Sequence, residues 1–331
     1  MGAQNVVATD RLGIARVFPL REQAAPDRQA TTALRTSEAG GPRSRYFSGI
    51  CHGTLGELWQ GPVRHRGRDE IGIVTLPIPL YSRATYVTSP VPAVSEAPTP
   101  KRAAAIREFQ RKYQVTLPPG RWMFDSQLQT SKGMASSTAD IVATVRCLFN
   151  LHAIEYDETA LRGILRGIER SDPVFLDEHA LYLSGKQEIV RTFPAALAFT
   201  VCYVVLDAQV DTEVFTSAKL GRSYQRNRRE YERSLSSVLS ALETGDHRAV
   251  AAQATRSAAL AQAYLHHPII DELIENRRGL SALGVTRAHT GAIAALLYPA
   301  EVERSRMEQA CAFFHERKLS CAFTRGGLPL V

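Results

Sequence analysis

The pattern of apolar and polar positions changes near Tyr46. Residues 1–45 mix Ala, Gln, Thr, Gly and Arg with little periodicity, and they hold too few apolar side chains to offset the entropy lost on ordering. We therefore expect 1–45 to be a mostly disordered basic tail. Beyond it, Ile71–Leu80 and Ser82–Thr88 carry β-branched and aromatic residues at strand spacing, and the polar segment Arg64–Glu70 predicts the preceding turn. The folded part is thus predicted to begin with strands.

Helical and strand-like patterns are mixed over the rest of the chain. Ile106, Phe109 and Tyr113 recur at helical spacing within Lys101–Gln114, whereas Leu197–Leu206 is typical of a buried strand. The other predicted elements are strands at Trp122–Gln129, into His289 and at Leu319–Phe323, a hairpin over Ala180–Phe193, and helices through Ile141–Leu148, Asp157–Glu169, Tyr231–Leu265 with a break at Gly245, Ile270–Leu283 and Ala300–His315.

Strands come first and mixed helices and strands follow, which indicates an α+β fold with two lobes rather than an alternating parallel sheet. A chain of 331 residues that is 44% hydrophobic is long enough for one large two-lobed unit or for two fused domains. We place the boundary after residue 194. The predicted lobes are therefore 46–194 and 195–331.

The composition indicates which kinds of partner and compartment suit this chain. The net charge is +7, but the arginines are scattered rather than gathered in a stripe with aromatics, so anionic substrates are favoured over nucleic acid. The five cysteines are odd in number and contain no CxxC pair, which favours a reducing cytoplasm over a disulfide framework or a zinc site. The longest apolar run, Ala195–Leu206, is too short to span a bilayer, so we expect no membrane partner.

The most informative segment is a glycine- and serine-rich loop at a predicted strand-to-helix junction. Such a junction directs free backbone amides and the positive end of the helix dipole towards one point, where a polyphosphate can bind. No GKS or GKT sequence follows Gly133, so this is not a Walker A loop, and a serine-rich helix cap is the structural alternative. The candidate nucleotide-binding residues are Gly133, Met134, Ala135, Ser136, Ser137 and Thr138.

The loop resembles the second motif, G-L-G-S-S-A, of the GHMP kinases, the superfamily of galactokinase, homoserine kinase, mevalonate kinase and phosphomevalonate kinase. Two further segments match in the expected order: 53–61, GTLGELWQG, resembles the first motif, and 288–292, AHTGA, resembles the third. Within the superfamily, KGMASSTADI, GELWQG and AHTG are similar to the L-threonine kinases of cobalamin biosynthesis. The resemblance spans residues 46–323.

The resemblance implies a ribosomal protein S5 domain 2-like amino-terminal lobe and a ferredoxin-like carboxyl-terminal lobe, with ATP and substrate meeting in the cleft. It also implies Glu169 as a Mg²⁺ ligand together with Ser137, and Asp172 as the catalytic group that accepts or orients the proton of the substrate hydroxyl. By spacing alone, the two carboxylates would be interpreted as a solvated helix end paired with Arg166 or Arg170.

Five more residues are candidates at the site. Glu57 could hold a substrate ammonium group or pair with a cationic side chain in the core. His289 is either a hydrogen-bonded core histidine or a lining residue of the substrate site together with Thr290 and Gly291. Lys132 is a candidate catalytic cation that attracts phosphates, and a solvated surface lysine is the alternative.

The sequence thus predicts a kinase that uses ATP and Mg²⁺ to phosphorylate a small-molecule hydroxyl, with L-threonine as the first candidate and O-phospho-L-threonine as the product. Serine, homoserine or an amino alcohol stays open as the substrate. A decarboxylase of the same fold and a catalytically inactive binding or regulatory protein are the rival interpretations. A homodimer is not decided by the sequence.

Overall fold

The computed structural model describes residues 5–9, 15–19, 44–89, 94–206, 217–289, 292–328 and 330. The fold is α+β, as predicted, and none of the described helices combines the length and apolar character needed to cross a bilayer. The elements of the first part are β1 (Asn5–Thr9), β2 (Ala15–Pro19), β3 (Arg45–His65), β4 (Arg68–Thr88), α1 (Pro100–Tyr113), β5 (Gly120–Ser126), α2 (Ser136–Leu151), α3 (Glu158–Arg166), β6 (His179–Leu183) and β7 (Glu188–Phe193).

The second part is richer in helices. Its elements are β8 (Leu197–Val205), α4 (Ser217–Arg226), α5 (Arg228–Thr244), α6 (His247–Ala261), α7 (Pro268–Asn276), β9 (Gly284–Arg287), β10 (Ile293–Pro299), α8 (Arg304–Glu316) and β11 (Cys321–Leu328). The predicted boundary after residue 194 falls in the connection between β7 and β8.

One antiparallel sheet runs through both parts of the chain. Its order is β11-β8-β10-β9-β3-β4-β6-β7, and β5 also pairs with β4. The long strands β3 and β4 form a hairpin that turns at Arg66 and Gly67, both of which have positive φ. The strand pairing that joins the two parts of the sheet is narrow, because β3 pairs with β9 at the position Glu57–Arg287 alone among the described residues. The residues around Glu57 therefore lie where the two parts of the sheet meet.

Helix α2 packs against β3 and β4 and sets the position of the glycine- and serine-rich loop. Its sequence, with Ile141, Val142, Val145 and Leu148 all buried, has apolar residues around most of its circumference, as a core helix should. The helix comes very close to the sheet at Gly49, where a Cβ atom would lie 2.1 Å from the carbonyl oxygen of Ala143. A glycine is therefore needed there.

Most predicted elements have counterparts in the structure, but three strands and a helix were not predicted. Strand β10 has the sequence IAALLYP, and its alanines and leucines carry little strand preference. Strands β1 and β2 are short apolar runs inside the segment expected to be disordered, and β1 lies beside β11 and α8. Helix α4 adjoins residues 207–216, and these, like 20–43 of the tail, lie outside the described residues.

Candidate functional site

The loop before α2 turns through left-handed backbone conformations. Gly133 has φ of 82° and Ala135, the residue that precedes the helix, has φ of 55°. Ala135 has no side-chain oxygen, so it cannot cap the helix, and the first helical amide to bind a carbonyl is that of Ala139, 2.9 Å from the oxygen of Ala135. Within the described part of the chain nothing accepts from the earlier amides of this turn, so they are available to an anion.

The loop rests on β3 through its backbone. The amide of Thr54 donates to the carbonyl of Met134 at 3.1 Å. At the neighbouring Gly53, a Cβ atom would lie 2.7 Å from that same carbonyl oxygen and 2.4 Å from a methyl group of Leu128. The first motif thus supports the second by close backbone contact, and Gly53 is the residue that allows it.

The first motif also contacts the third. Gly56 has φ of 69°, and a Cβ atom there would lie 2.3 Å from the carbonyl oxygen of Arg287 and 2.6 Å from the amide nitrogen of Ala288, the first residue of the third motif. Next to it, the Oγ1 of Thr286 donates to the carbonyl of Glu57 at 2.8 Å. The three segments that are far apart in the sequence therefore meet along one stretch of β3.

The carboxylate of Glu169 lies against the first turn of α2. It accepts hydrogen bonds from the Oγ of Ser137 at 2.7 Å and from the Oγ1 of Thr138 at 3.0 Å, and its side chain is 11% exposed. The Nζ of Lys101 lies 2.5 Å from its Oε2. An acidic group, two hydroxyls and a cation are thus gathered at a helix N-terminus, which is an arrangement suited to a polyphosphate and its metal.

Lys101 is the site residue that sequence reasoning missed. It lies in the first turn of α1, where the helix dipole disfavours a positive charge and where no acidic residue is present. That unfavourable placement was the signal available in the sequence. Its neighbour Arg102 is buried and pairs with Asp140 of α2, the Nη2 and Oδ1 atoms being 2.6 Å apart, so the two helices are held together beside the site.

Asp172 lies three positions after Glu169, and the residue as a whole, backbone and side chain together, is half-buried. Burial of its carboxyl group, with the nearby negative charges of Glu57 and Glu169, raises the pKa of Asp172 to about 7. The charge of Arg170 acts in the opposite direction. A carboxyl with such a pKa can take up or release a proton near neutral pH, which suits a group that handles a hydroxyl proton.

Glu57 and His289 form a buried pair. The Oε2 of Glu57 accepts from both the backbone amide and the Nδ1 of His289, each at 2.9 Å, and the Nε2 of His289 lies 3.5 Å from the Oγ of Ser257. Of the two partners predicted for Glu57, a substrate ammonium group or a side chain in the core, the structure shows a core partner, His289. The other two substrate candidates, Thr290 and Gly291, lie outside the described residues.

Lys132 is half-buried and does not contact Glu169. Its Nζ donates to the carbonyl of Leu206 at 2.9 Å, at the end of β8. The lysine that touches the site carboxylate is Lys101. A catalytic role for Lys132 therefore stays a prediction, with a contact to the second part of the chain as its observed interaction.

The residues present suit a magnesium ion that is shared with phosphates. Among the described residues, no three His, Cys, Asp or Glu side chains are arranged to hold a metal by themselves. Mg²⁺ is commonly bound by one or two carboxylates with the remaining places taken by substrate phosphates and water. Glu169 and the hydroxyl of Ser137 supply oxygen ligands of that kind.

This arrangement agrees with a match to a known family over residues 100–176, the GHMP kinases N terminal domain. Residues 100–176 are thus similar to the N-terminal domain of the GHMP kinases. The matched segment contains the loop, α2, Glu169 and Asp172, together with Lys101. Most of the site described above therefore lies inside the matched segment, and Glu57 and His289 approach it from outside.

Proteins that align with most of the chain have low sequence identity to it. The L-threonine kinase of Salmonella typhimurium is 25% identical over 255 residues, which are 75% of this chain and 81% of that protein. The homoserine kinase of Cytophaga hutchinsonii superposes with a TM-score of 0.62 at 11% identity, over 88% of this chain and 96% of the other. The mevalonate diphosphate decarboxylase of Enterococcus faecalis, studied for its ATP binding mechanism, superposes with a TM-score of 0.58 at 14% identity, over 85% and 98%. The fold is that of the GHMP kinases.

Proposed function

We propose that this protein is an ATP-dependent kinase that phosphorylates the hydroxyl of a small amino acid, with L-threonine as the first candidate. The observation that carries the proposal is the contact of the Glu169 carboxylate with the hydroxyls of Ser137 and Thr138 at an uncapped helix N-terminus. This arrangement offers both donors for phosphate oxygens and a carboxylate for the accompanying cation.

The loop from Gly133 to Thr138 is the proposed binding site for the triphosphate of ATP. Its free amides lie at the positive end of the α2 dipole, and the left-handed conformations at Gly133 and Ala135 turn the backbone towards one side. Binding of ATP by the Enterococcus faecalis decarboxylase, which shares the fold, supports this assignment.

Ser137 and Glu169 are the proposed ligands of a magnesium ion, which neutralises charge on the triphosphate when it is bound. Lys101 pairs with the same carboxylate. We expect its ammonium group to turn from Glu169 towards the phosphates when MgATP binds, because both are anionic partners within reach of the flexible side chain.

Asp172 is the proposed acceptor or orienting group for the proton of the substrate hydroxyl. Phosphoryl transfer requires the attacking oxygen to be aligned with the γ-phosphorus more than it requires a strong base. A carboxyl group whose pKa is about 7 is largely ionised at slightly alkaline pH and can accept that proton.

L-Threonine is favoured by the L-threonine kinase of Salmonella typhimurium, since that relative aligns over three quarters of this chain. Glu57 is the proposed partner of the substrate ammonium group. One of its carboxylate oxygens, Oε2, accepts from His289, and the second, Oε1, makes no hydrogen bond to a described residue and is the proposed contact of the ammonium group. Serine, homoserine and amino alcohols carry the same ammonium group, so they are the alternative acceptors.

The experiment that tests the proposal is ADP release from MgATP across L-threonine, L-serine, L-homoserine, 1-amino-2-propanol and a hexose. Turnover with L-threonine, together with a phosphomonoester signal in ³¹P NMR, is the expected outcome. Glu169→Gln should abolish turnover, and Ser137→Ala should raise KM for MgATP more than it lowers kcat. ATP binding without turnover on any acceptor would contradict the kinase proposal and favour a binding or regulatory protein.

A decarboxylase is the second enzyme candidate, because the Enterococcus faecalis neighbour has that activity on the same fold. The two reactions leave different products. A kinase converts ATP and the acceptor into ADP and a stable phosphomonoester, whereas an ATP-dependent decarboxylase releases ADP, carbon dioxide and free phosphate and leaves no phosphomonoester. Free phosphate in step with ADP would therefore contradict the kinase proposal.

A further inference from the structure

Gln187 has an unusual combination of backbone conformation and burial. It lies between β6 and β7 with φ of 56°, a left-handed conformation that a side chain makes costly, and it is 1% exposed. Burial of a side-chain amide also lowers the stability of the protein unless its donor and its acceptor both have hydrogen-bond partners. The left-handed backbone and the buried polar side chain of Gln187 therefore both oppose stability at this one residue.

Both polar atoms of the Gln187 side chain bind the segment 169–172. Its Nε2 donates to the backbone carbonyl of Glu169 at 2.9 Å. Its Oε1 accepts from the hydroxyl of Tyr182 at 2.5 Å and from the hydroxyl of Ser171. The hydroxyls of Ser171 and Tyr182 lie 3.0 Å apart, so three buried polar side chains form one closed group, which we call the Gln187 cluster.

The segment that this cluster holds has no regular structure of its own. Helix α3 ends at Arg166, and β6 begins at His179. Between Glu169 and Asp172 the only other backbone bonds are from the amide of Glu169 to Leu165 at 3.0 Å and from the amide of Ser171 to Ser184 at 3.4 Å, among the described residues. Side chains must therefore supply the rigidity that a helix or strand would otherwise give.

We infer that Gln187 is a positioning residue for Glu169 and Asp172, acting through the backbone that carries both carboxylates. The inference rests on the proposed function. Its amide binds the carbonyl of Glu169 on one side and the hydroxyl of Ser171, the residue before Asp172, on the other. A shift of this backbone would move the proposed metal ligand and the proposed proton acceptor together.

A role in packing alone would predict a different choice of residue. An apolar side chain of similar size could fill the same volume without needing three hydrogen-bond partners. Glycine would adopt the left-handed conformation at no steric cost. Glutamine meets neither preference, but its amide reaches both ends of the segment.

The test compares Gln187→Gly and Tyr182→Phe with a matched control, Gln253→Ala. Gln253 is a half-buried glutamine on α6 that accepts a hydrogen bond from the Oγ of Ser234 at 3.0 Å, and no hydrogen bond joins it to a described residue of the proposed site. Glycine at 187 suits the backbone and so offsets part of the stability lost with the amide. Tyr182→Phe keeps the bond between Gln187 and Glu169.

Two quantities are measured on the full chain: kcat with MgATP and L-threonine, and the ratio of ATP affinities with and without magnesium by calorimetry. In Gln187→Gly we expect kcat to fall about 10- to 100-fold and the magnesium-dependent gain in affinity to shrink, because Glu169 is displaced. Tyr182→Phe should show a smaller change in the same direction. The control should keep both values, even if thermal unfolding shows comparable loss of stability.

A folded Gln187→Gly variant with unchanged kcat and an unchanged affinity ratio would overturn the inference, as would equal losses in Gln253→Ala. The affinity ratio needs no turnover, so it separates the two proposals. If the natural chain releases no ADP with any acceptor, the proposed function fails. A normal affinity ratio in Gln187→Gly contradicts only the positioning role.

Discussion

One oxygen of the Glu57 carboxylate accepts two hydrogen bonds from His289, one from its backbone amide and one from its Nδ1, both 2.9 Å long. Both side chains are buried, so neither has water as a substitute partner. The pair joins β3 to the residues that follow β9 and thus connects the two parts of the sheet through side chains as well as backbone.

Replacing His289 by leucine should therefore destabilise the protein. The substitution leaves a buried carboxylate oxygen with only the backbone amide as donor, and the expected loss is about 1–3 kcal/mol in free energy of unfolding. Urea unfolding measures it. His289→Asn offers a side-chain amide donor and should recover part of the loss; equal instability in both variants would mean that the hydrogen bond to Glu57 is not the cause.

Asp172→Asn should depress kcat far more than it changes ATP affinity. The amide keeps the shape of the carboxyl group but cannot accept the hydroxyl proton. For the natural chain, kcat should rise with pH through about 7, since the pKa of Asp172 is raised to that value and the ionised form is the active one. Asp246→Asn, at the cap of α6 where asparagine serves equally well, is the control.

The same carboxyl group should make stability fall as pH rises. Its pKa is raised in the folded protein above the ordinary aspartate value, so the folded state binds more protons than the unfolded state between that ordinary value and about 7. The contribution of Asp172 to stability is therefore present at low pH and decreases up to about pH 7. Unfolding of Asp172→Asn should lack this slope; identical pH profiles for the two proteins would show that Asp172 has no raised pKa.

Lys101→Met should lower kcat about 10- to 100-fold, because a cation proposed to move onto the transferring phosphate is lost. Lys112→Met, near the other end of α1, is the matched control and should behave as the natural chain. If Lys101 does no more than neutralise Glu169, the variant will instead keep its kcat and bind magnesium nucleotide more tightly. Steady-state kinetics with calorimetry distinguishes these results.

Gly53→Ala should both destabilise the protein and weaken ATP binding. The added methyl group would press on the carbonyl of Met134, which is backbone and cannot swing away, at a cost of about 1–3 kcal/mol. Gly163→Ala is the control, since a Cβ atom at that position in α3 meets nothing within 4 Å and should stabilise the helix by about 0.5–1 kcal/mol. A Gly53→Ala variant with natural stability would show that the loop can retreat freely.

The sequence was informative where the structure is local. The loop at 133–138 and the helix after it depend on neighbouring residues, so small side chains and helical periodicity were enough to predict them. The contact of Lys101 with Glu169 and the pairing of Glu57 with His289 join distant parts of the chain, and no pattern within either segment indicates its partner. Strand β10 was missed because burial, rather than the preference of its alanines and leucines, decides its conformation.

Helix α2 begins without a capping side chain, and this has a consequence for the order in which the fold becomes rigid. Under the proposed function, the phosphates supply the acceptors that the amides of residues 136–138 do not find among the described residues. The nucleotide would then complete a secondary-structure element as well as occupy a site. Slowing of amide hydrogen exchange on addition of MgATP should accordingly be greatest at this first turn, and the end of α2 at Leu151 should hardly respond.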